Sequence, residues 1–505
     1  MLPLPSQLLG KSQFNEWHSG QEDAIEAVYD WYRGPKRFMG LSAPTGSGKS
    51  LIAMASGRLS GGRVRVLTHT KGLQDQLISD FEPVGLVDIR GQNNYLCLHP
   101  EVQTTTYVDN AICHTGAFCP LQHGGCTNYD QLRRAQQSHL VVTNYPAWLN
   151  FEFHSGDRNK LEADLLICDE GSTAFSAMES FLQFHLSNTL LHELDIELPD
   201  AHSWEWEDWQ RWFSHTSASQ RDAKTWAEWA RKRQLIIGST RPWAVEYDGR
   251  TATFTPVWMS QYKDYLFGKT NKILLMSADL TPNDLYLLGI TEDEMEWYDM
   301  PSTFPAENTP IYHLKTNRVH YKMDNDDKQY WASRIDQVIG HRPGRKGLIL
   351  PVSYANQQYL GFHTKYRDRV VIHDRQNARQ TISNFQGSNQ PQVLISPSIT
   401  TGYDFPGSQA RFLIVAKVPW PMTQSAVFKS RQAEDKTYQH HVIAKTLVQS
   451  CGRGTRYPED WCEIFVTDDT IGWWWKQHSH MTPAWFQERY QGTIDRIPQA
   501  HDHEK

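Results

Sequence analysis

Phe38-Met-Gly-Leu-Ser42-Ala43-Pro44-Thr45-Gly46-Ser47-Gly48-Lys49-Ser50-Leu51-Ile-Ala-Met-Ala55 decides how the rest of the chain is read. A short apolar run comes first, then a glycine-rich turn closed by Gly-Lys-Ser, then residues that favour helix. Strand, loop and helix in that order form a phosphate-binding loop, with Ala43 where the first glycine usually stands. Gly46 and Gly48 let backbone N–H groups approach phosphates, and Thr45 and Ser47 line the same turn. Lys49 brings positive charge to the β- and γ-phosphates, and Ser50 offers a hydroxyl to Mg²⁺. The next helix points its positive end at the same phosphates. ATP and Mg²⁺ are therefore the expected ligands; a plain glycine-rich turn is the blander alternative.

Other short runs repeat the apolar signature: Val64-Arg-Val-Leu-Thr68, Leu140-Val-Val-Thr143, Leu165-Leu-Ile-Cys168, Ile273-Leu-Leu-Met276, Gly347-Leu-Ile-Leu350, Val393-Leu-Ile-Ser396, Phe412-Leu-Ile-Val415 and Glu463-Ile-Phe-Val466. Most are continuous rather than alternating, which suits strands buried on both faces of a parallel sheet under helices. They fall in two groups, 38–167 with 273–276 and 347–466, and so predict two α/β domains. The run at 165 ends in Asp169-Glu170. At the carboxyl edge of a sheet the first acid can hold Mg²⁺ and the second can polarise an attacking water. In the second group, Thr401-Gly402-Tyr403-Asp404 precedes Gln449-Ser-Cys-Gly452-Arg453-Gly-Thr-Arg456. An arginine from such a pair, placed by the γ-phosphate, would stabilise transition-state charge.

Composition bounds the reading. A chain of 505 residues suggests about three to five domains. With 39% hydrophobic and 21% charged residues it is an ordinary globular chain, not a disordered one. Fifty basic residues against 57 acidic ones give a net charge of −7. Nucleic acid would therefore have to be met by a local groove, not by a basic body. No apolar run nears the ~20 residues of a membrane span, and Met1-Leu-Pro-Leu-Pro-Ser6 lacks the features of a signal peptide. A cytoplasmic location with no membrane partner is expected. Between 176 and 243, Trp206, Trp209 and Trp212 recur every three residues, as do Trp226 and Trp229. That spacing predicts an inserted helical lobe whose tryptophans form a core rather than stack bases. Trp473-Trp474-Trp475 is read as packing as well.

The motif order resembles superfamily 2 helicases, and within them the XPD/DinG group of iron–sulfur DNA helicases, over nearly the whole length. His18-Ser-Gly-Gln21 is similar to the adenine-contacting entry motif and Thr68-His-Thr70-Lys71-Gly-Leu-Gln74 to motif Ia. Val142-Thr-Asn144-Tyr145 resembles the Thr-Asn-His segment, and Met276-Ser277-Ala278-Asp279-Leu280 motif III. Ser396 to Asp404 resembles motif V, and Gln449 to Arg456 motif VI. The resemblance implies base contact by Gln21, catalysis by Lys49, Asp169, Glu170, Gln449, Arg453 and Arg456, and sensing of closure by Gly402 and Asp404. It implies strand contacts at Thr70, Lys71, Asn144, Ser353, Tyr354, Ser398 and Thr401, each of which is also ordinary turn chemistry. Two departures stand out. Gly171-Ser172 succeeds Asp169-Glu170 where the family has Ala-His, and Asp279 replaces a threonine. Both put ATP–DNA coupling in question. With the short chain, they are compatible with a virus or mobile-element origin.

Cys97, Cys113, Cys119 and Cys126 fall within 30 residues, after motif Ia and before motif II. Their gaps fit no paired zinc knuckle. Arg90-Gly-Gln-Asn-Asn-Tyr95-Leu-Cys97 resembles the DinG approach to its first cluster cysteine, and four thiolates suffice for a [4Fe–4S] cluster. Zinc and unliganded thiols are the alternatives.

The expected fold is α/β, with two RecA-like parallel-sheet motor domains and a cysteine-cluster domain and helical arch inserted in the first. The expected boundaries are 1–89, 131–175 and 244–300 for the first motor domain, 90–130 for the cluster domain and 176–243 for the arch. The second motor domain spans 301–495 and a tail 496–505. ATP is expected in a cleft between the motor domains. The expected function is ATP-dependent 5′–3′ translocation on single-stranded DNA and unwinding of forked duplex by a monomer, in replication, repair or recombination. The alternatives are an ATP-gated nucleic-acid clamp or remodelling translocase that unwinds little, and an RNA-directed helicase.

Overall fold

The computed structural model describes residues 2–10, 13–114, 118–153, 161–220, 222–302, 304–399, 403–455 and 460–500. Every apolar run quoted above is a strand. In the first half the strands are β1 (Phe38–Ser42), β2 (Val64–Thr68), β3 (Val87–Asp88), β4 (Leu140–Asn144), β5 (Leu165–Asp169), β6 (Phe184–Leu186), β7 (Trp243–Tyr247), β8 (Ala252–Pro256), β9 (Lys272–Ser277) and β10 (Met295–Asp299). In the second half they are β11 (Ile311–Leu314), β12 (Gly347–Leu350), β13 (Val370–Val371), β14 (Val393–Ile395), β15 (Phe412–Val415), β16 (Glu463–Val466) and β17 (Tyr490–Ile494).

One seven-stranded sheet runs β10-β1-β9-β5-β2-β4-β3 and another β13-β14-β12-β15-β16-β11-β17. β2 pairs in parallel with β4 and β5, and β5 with β9. Each pairing in the second sheet is parallel. β1, β2 and β5 are buried along their whole lengths, which is why their sequences carry no alternation.

The chain forms two compact units. The first comprises Met1–Leu41, Gly48–Tyr298 and Met422–Lys436, and the second Ser42–Ser47, Asp299–Pro421 and Thr437–Lys505. Helix Ala426–Glu434 therefore packs with the first unit although the strands flanking it in sequence, β15 and β16, lie in the second. Arg431 holds it there. Its Nε donates to the Val257 carbonyl (2.7 Å), its Nη2 pairs with Glu179, and its guanidinium lies 4.7 Å from the Phe175 ring centre. Trp258 Nε1 donates to Glu434 Oε2 at 2.7 Å.

The tryptophan-rich insertion is helical where its spacing predicts, at Trp206–His215 and Ala223–Ile237. Its β6 joins β7 and β8, which run on past residue 243, in an antiparallel sheet, β6-β8-β7, that the tryptophan spacing does not predict. Trp206, Trp209, Phe213, Trp229 and Phe254 are buried in one cluster, so these rings serve as core. Trp209 meets Phe254 edge to face at 5.0 Å, and so does Phe213 at 5.1 Å.

Candidate nucleotide site and strand-contact residues

β1, β9, β5, β2 and β4 are successive neighbours, and the phosphate loop, motif III, motif II, motif Ia and the segment 142–145 come at or after their respective carboxyl ends, whereas the entry motif at 18–21 precedes β1. The glycine-rich turn leaves β1 with Gly46 and Gly48 at φ +78° and +73°, left-handed values that a side chain would strain. Gly48 caps helix Lys49–Ser60, so Lys49 and Ser50 stand on its first turn. Gln21, the first residue of helix Gln21–Arg33, is buried against this cap, and a Cβ on Gly48 would collide with its amide. Gln21 Oε1 accepts from the His18 N–H at 2.9 Å, which fixes the amide's orientation beside the loop.

Asp169 ends β5 and is buried. Burial pushes its carboxyl up from the ordinary value, while the Lys49 ammonium and the Glu170 N–H (3.0 Å) pull it back. Acid and lysine are thus within electrostatic reach, as shared work on phosphate and Mg²⁺ requires. Glu170 takes a left-handed φ of +50°, a strained value for a side chain with a Cβ. The buried Tyr145 hydroxyl donates to the Asp169 carbonyl at 3.1 Å. Sequence reasoning gives Tyr145 no role of its own; its place where the family segment carries histidine is the signal for it.

The departures at 171, 172 and 279 fit one another. A Cβ on Gly171 would lie 2.9 Å from Leu275 Cβ and 3.0 Å from the Met276 nitrogen, so β9 leaves no room for alanine. Ser172 Oγ is 3.2 Å from Ser277 Oγ, and the Ser277 hydroxyl donates to Asp279 Oδ1. Motifs II and III are therefore joined by a serine–serine–aspartate chain.

Among the strand-contact candidates, Thr70 caps helix Lys71–Phe81 by accepting from the Leu73 N–H, and Lys71 is exposed beside it. Asn144 is nearly buried, its Oδ1 accepting from the Ala147 N–H (3.0 Å) and its Nδ2 donating to Gln74 (3.4 Å). In the second unit, Ser353 caps helix Tyr354–His363 after β12. Tyr354 Oη lies 3.0 Å from Ser398 Oγ, which brings the loops after β12 and β14 together. Arg453 Nη1 donates to the Tyr403 carbonyl (3.0 Å) and pairs with Asp404 (3.4 Å). Gln449 is half-buried in helix Tyr438–Cys451. Thr401, Gly402 and Arg456 lie outside the described residues.

Cys113, Cys119 and Cys126 share one neighbourhood. Burial pushes the Cys113 thiol up, the Gln122 amide lowers it, and the Cys119 and Cys126 thiols raise it further. Cys97 sits beside the Leu96–Tyr107 bridge, its backbone N–H on the Thr106 carbonyl (2.8 Å). The donor set has the chemistry of a thiolate-held cluster. Among the described residues, no group of three or more His, Cys, Asp or Glu side chains is arranged to hold a metal.

Residues 346–489 match the helicase C-terminal domain family and residues 15–175 the family of the type III restriction enzyme res subunit. A solved XPD helicase structure is similar at 14% identity and a TM-score of 0.61, covering 95% of this chain and 100% of that one. Xpd4 from S. tokodaii is similar at 13% and 0.59, with 94% and 100% covered. An apo XPD structure is similar at 13% and 0.56, with 91% and 98% covered. No curated protein matches the chain. The fold is the expected one, two RecA-like parallel-sheet α/β domains. The two domain matches support an ATP-dependent nucleic-acid helicase of superfamily 2. No helix among the described residues is long and apolar enough to cross a membrane.

Proposed function

We propose that this helicase is an XPD/DinG-like motor that moves 5′ to 3′ along single-stranded DNA and opens forked duplex, in replication, repair or recombination. The observation that carries the reading is a buried strand-end carboxylate, Asp169, within electrostatic reach of Lys49 on the first turn after a glycine-rich loop. On this reading Lys49 and the loop's N–H groups, with Thr45 and Ser47, take the phosphates, and Gln21 contacts the base. Ser50 and Asp169 hold Mg²⁺, and Glu170 orients the attacking water. Gln449, Arg453 and Arg456 act on the γ-phosphate, and Gly402 and Asp404 sense its presence. In this role Arg453 would exchange its Asp404 partner for phosphate. DNA as the track and the polarity rest on the motif resemblance.

Cys97, Cys113, Cys119 and Cys126 would hold a [4Fe–4S] cluster. Such a cluster supplies four strong thiolate bonds that tie irregular loops together. The support for it is the resemblance of the 90–97 stretch and the order of the four cysteines between motifs Ia and II.

In Lys49→Ala, DNA-stimulated ATPase and strand displacement on a 5′-overhang substrate are expected to vanish. Hydrolysis at the unaltered rate would remove the mechanism. Anaerobically purified protein is expected to show broad brown absorbance that Cys113→Ser diminishes. Iron content unchanged by that substitution would defeat the ligand assignment.

A further inference from the structure

At the carboxyl edge of the second sheet lies a cavity of about 600 Å³ that none of the helicase-like motifs touches. Segments leaving three neighbouring strands build it. Arg318 and Tyr321 come from the loop after β11, Lys417 and Trp420 from the loop after β15, and Trp473 from helix Thr470–His478 after β16. One buried carboxylate ties all three together. Asp468 Oδ1 accepts from the Val319 N–H (3.2 Å) and the Thr470 N–H (3.0 Å), and its Oδ2 from the Val418 N–H (3.0 Å). Asp469 is likewise turned inward, onto the Thr316 N–H (2.8 Å) and His313 (3.0 Å). Asp468 and Asp469 are thus spent on backbone and core, while Arg318 and Lys417 have no ion-pair partner among the described residues.

The cavity's other property is aromatic surface. Tyr321 is 86% exposed and Trp473 46%. Behind them, His440 lies 5.8 Å from the ring centres of both Trp420 and Trp473 and stacks on His478 at 3.7 Å. Open ring faces beside unpaired cations are what a base and its adjacent phosphate require, and neither needs a particular base. The volume is in the range of a small-molecule site. The cavity nevertheless lacks the glycine-rich loop that would grip a terminal phosphate. It lies on the same sheet edge as the Tyr354–Ser398 pair. β14 and β11 are four strand spacings apart, about 19 Å, so one extended strand would span both places.

We propose that this cavity is a second strand-holding site, in which Tyr321 and Trp473 stack a base of single-stranded nucleic acid and Arg318 and Lys417 hold the flanking phosphates. The inference rests on the helicase reading and deepens it.

The test is fluorescence anisotropy of a labelled oligothymidylate of roughly 20 nucleotides on the full chain. The Tyr321→Ala/Trp473→Ala double variant is expected to bind it at least about tenfold more weakly, since each stacked base contributes severalfold. Trp473→Phe retains most of the affinity, and binding of a fluorescent ATP analogue is unchanged. Arg318→Ala/Lys417→Ala is expected to lower the salt dependence by about one to two released ions. Photo-crosslinking an iodouracil-substituted strand to the unaltered protein is expected to mark peptides holding Tyr321 or Trp473, whether or not the variants fold. Unaltered oligonucleotide affinity in the folded double variant would overturn the proposal. So would loss of free thymidine monophosphate binding alone, which would make the cavity a nucleotide pocket. If the unaltered chain binds no single strand at all, the helicase reading itself fails.

Discussion

Two aromatic clusters of this chain look alike on paper and differ in how much of them water reaches. In the insertion, Trp209, Phe213, Trp229 and Phe254 meet edge to face or tilted, out of water, beneath helix Trp206–His215. In the second unit, Trp420, Trp473, His440 and His478 meet at similar distances, yet Tyr321 and Trp473 face an open cavity. The first cluster closes because two helices and a small sheet cover it on several sides. The second stays open because it sits where three loops leave a sheet and, among the described residues, no element covers the rings. Ring-to-ring contact therefore says little about role; the surrounding backbone decides.

The sharpest way to break this contrast is truncation. Trp209→Ala is expected to cost about 3–5 kcal/mol of unfolding free energy, the range for deleting a large buried ring, measured by urea denaturation. Trp473→Ala should stay within roughly 0.5 kcal/mol, as for an exposed side chain. Equal losses would mean that the cavity rings are also core.

A smaller effect sharpens the contrast by pH. Burial first, and the neighbouring His478 second, lower the His440 pKa to about 4. Burial shifts His478 down too. Between that value and the ordinary 6.5, the unfolded chain takes up a proton that folded His440 refuses, so stability falls as pH drops from 6.5 toward 4. Above the ordinary value the contribution is constant. His440→Phe is expected to flatten this part of the stability profile, and a slope unchanged by the substitution would show that His440 titrates normally.

How much of this is legible in the sequence depends on how local each feature is. The phosphate loop is legible because its chemistry lies in consecutive residues, and Asp169-Glu170 because it ends a strongly apolar run. The buried strands announce themselves by unbroken apolar stretches. The insertion's sheet does not: β6 has three residues and finds its partner β8 some 68 positions away, at the His185–Thr253 pair. The triple tryptophan reads as packing throughout. That holds for Trp474, fully buried, and for Trp475, stacked on Tyr490 at 4.2 Å. Trp473 also packs, on His440 and His478, but it leaves 46% of its surface exposed, because one helix residue in three can point outward while its neighbours do not. The cavity joins the loop after β11 to segments after β15 and β16, about a hundred or more residues further on, and no spacing in the sequence encodes that neighbourhood.

The wandering helix at 426–434 has a practical corollary for dissection. Between its units the polypeptide passes five times, at 41/42, 47/48, 298/299, 421/422 and 436/437. No single cleavage separates them. A fragment ending near Tyr298 would lose the guanidinium that now satisfies Glu179 and the Val257 carbonyl, leaving a raw seam across the insertion. Anyone wishing to study the halves alone would have to graft 422–436 back onto the first, as a sequence-distant patch without which that half is unfinished.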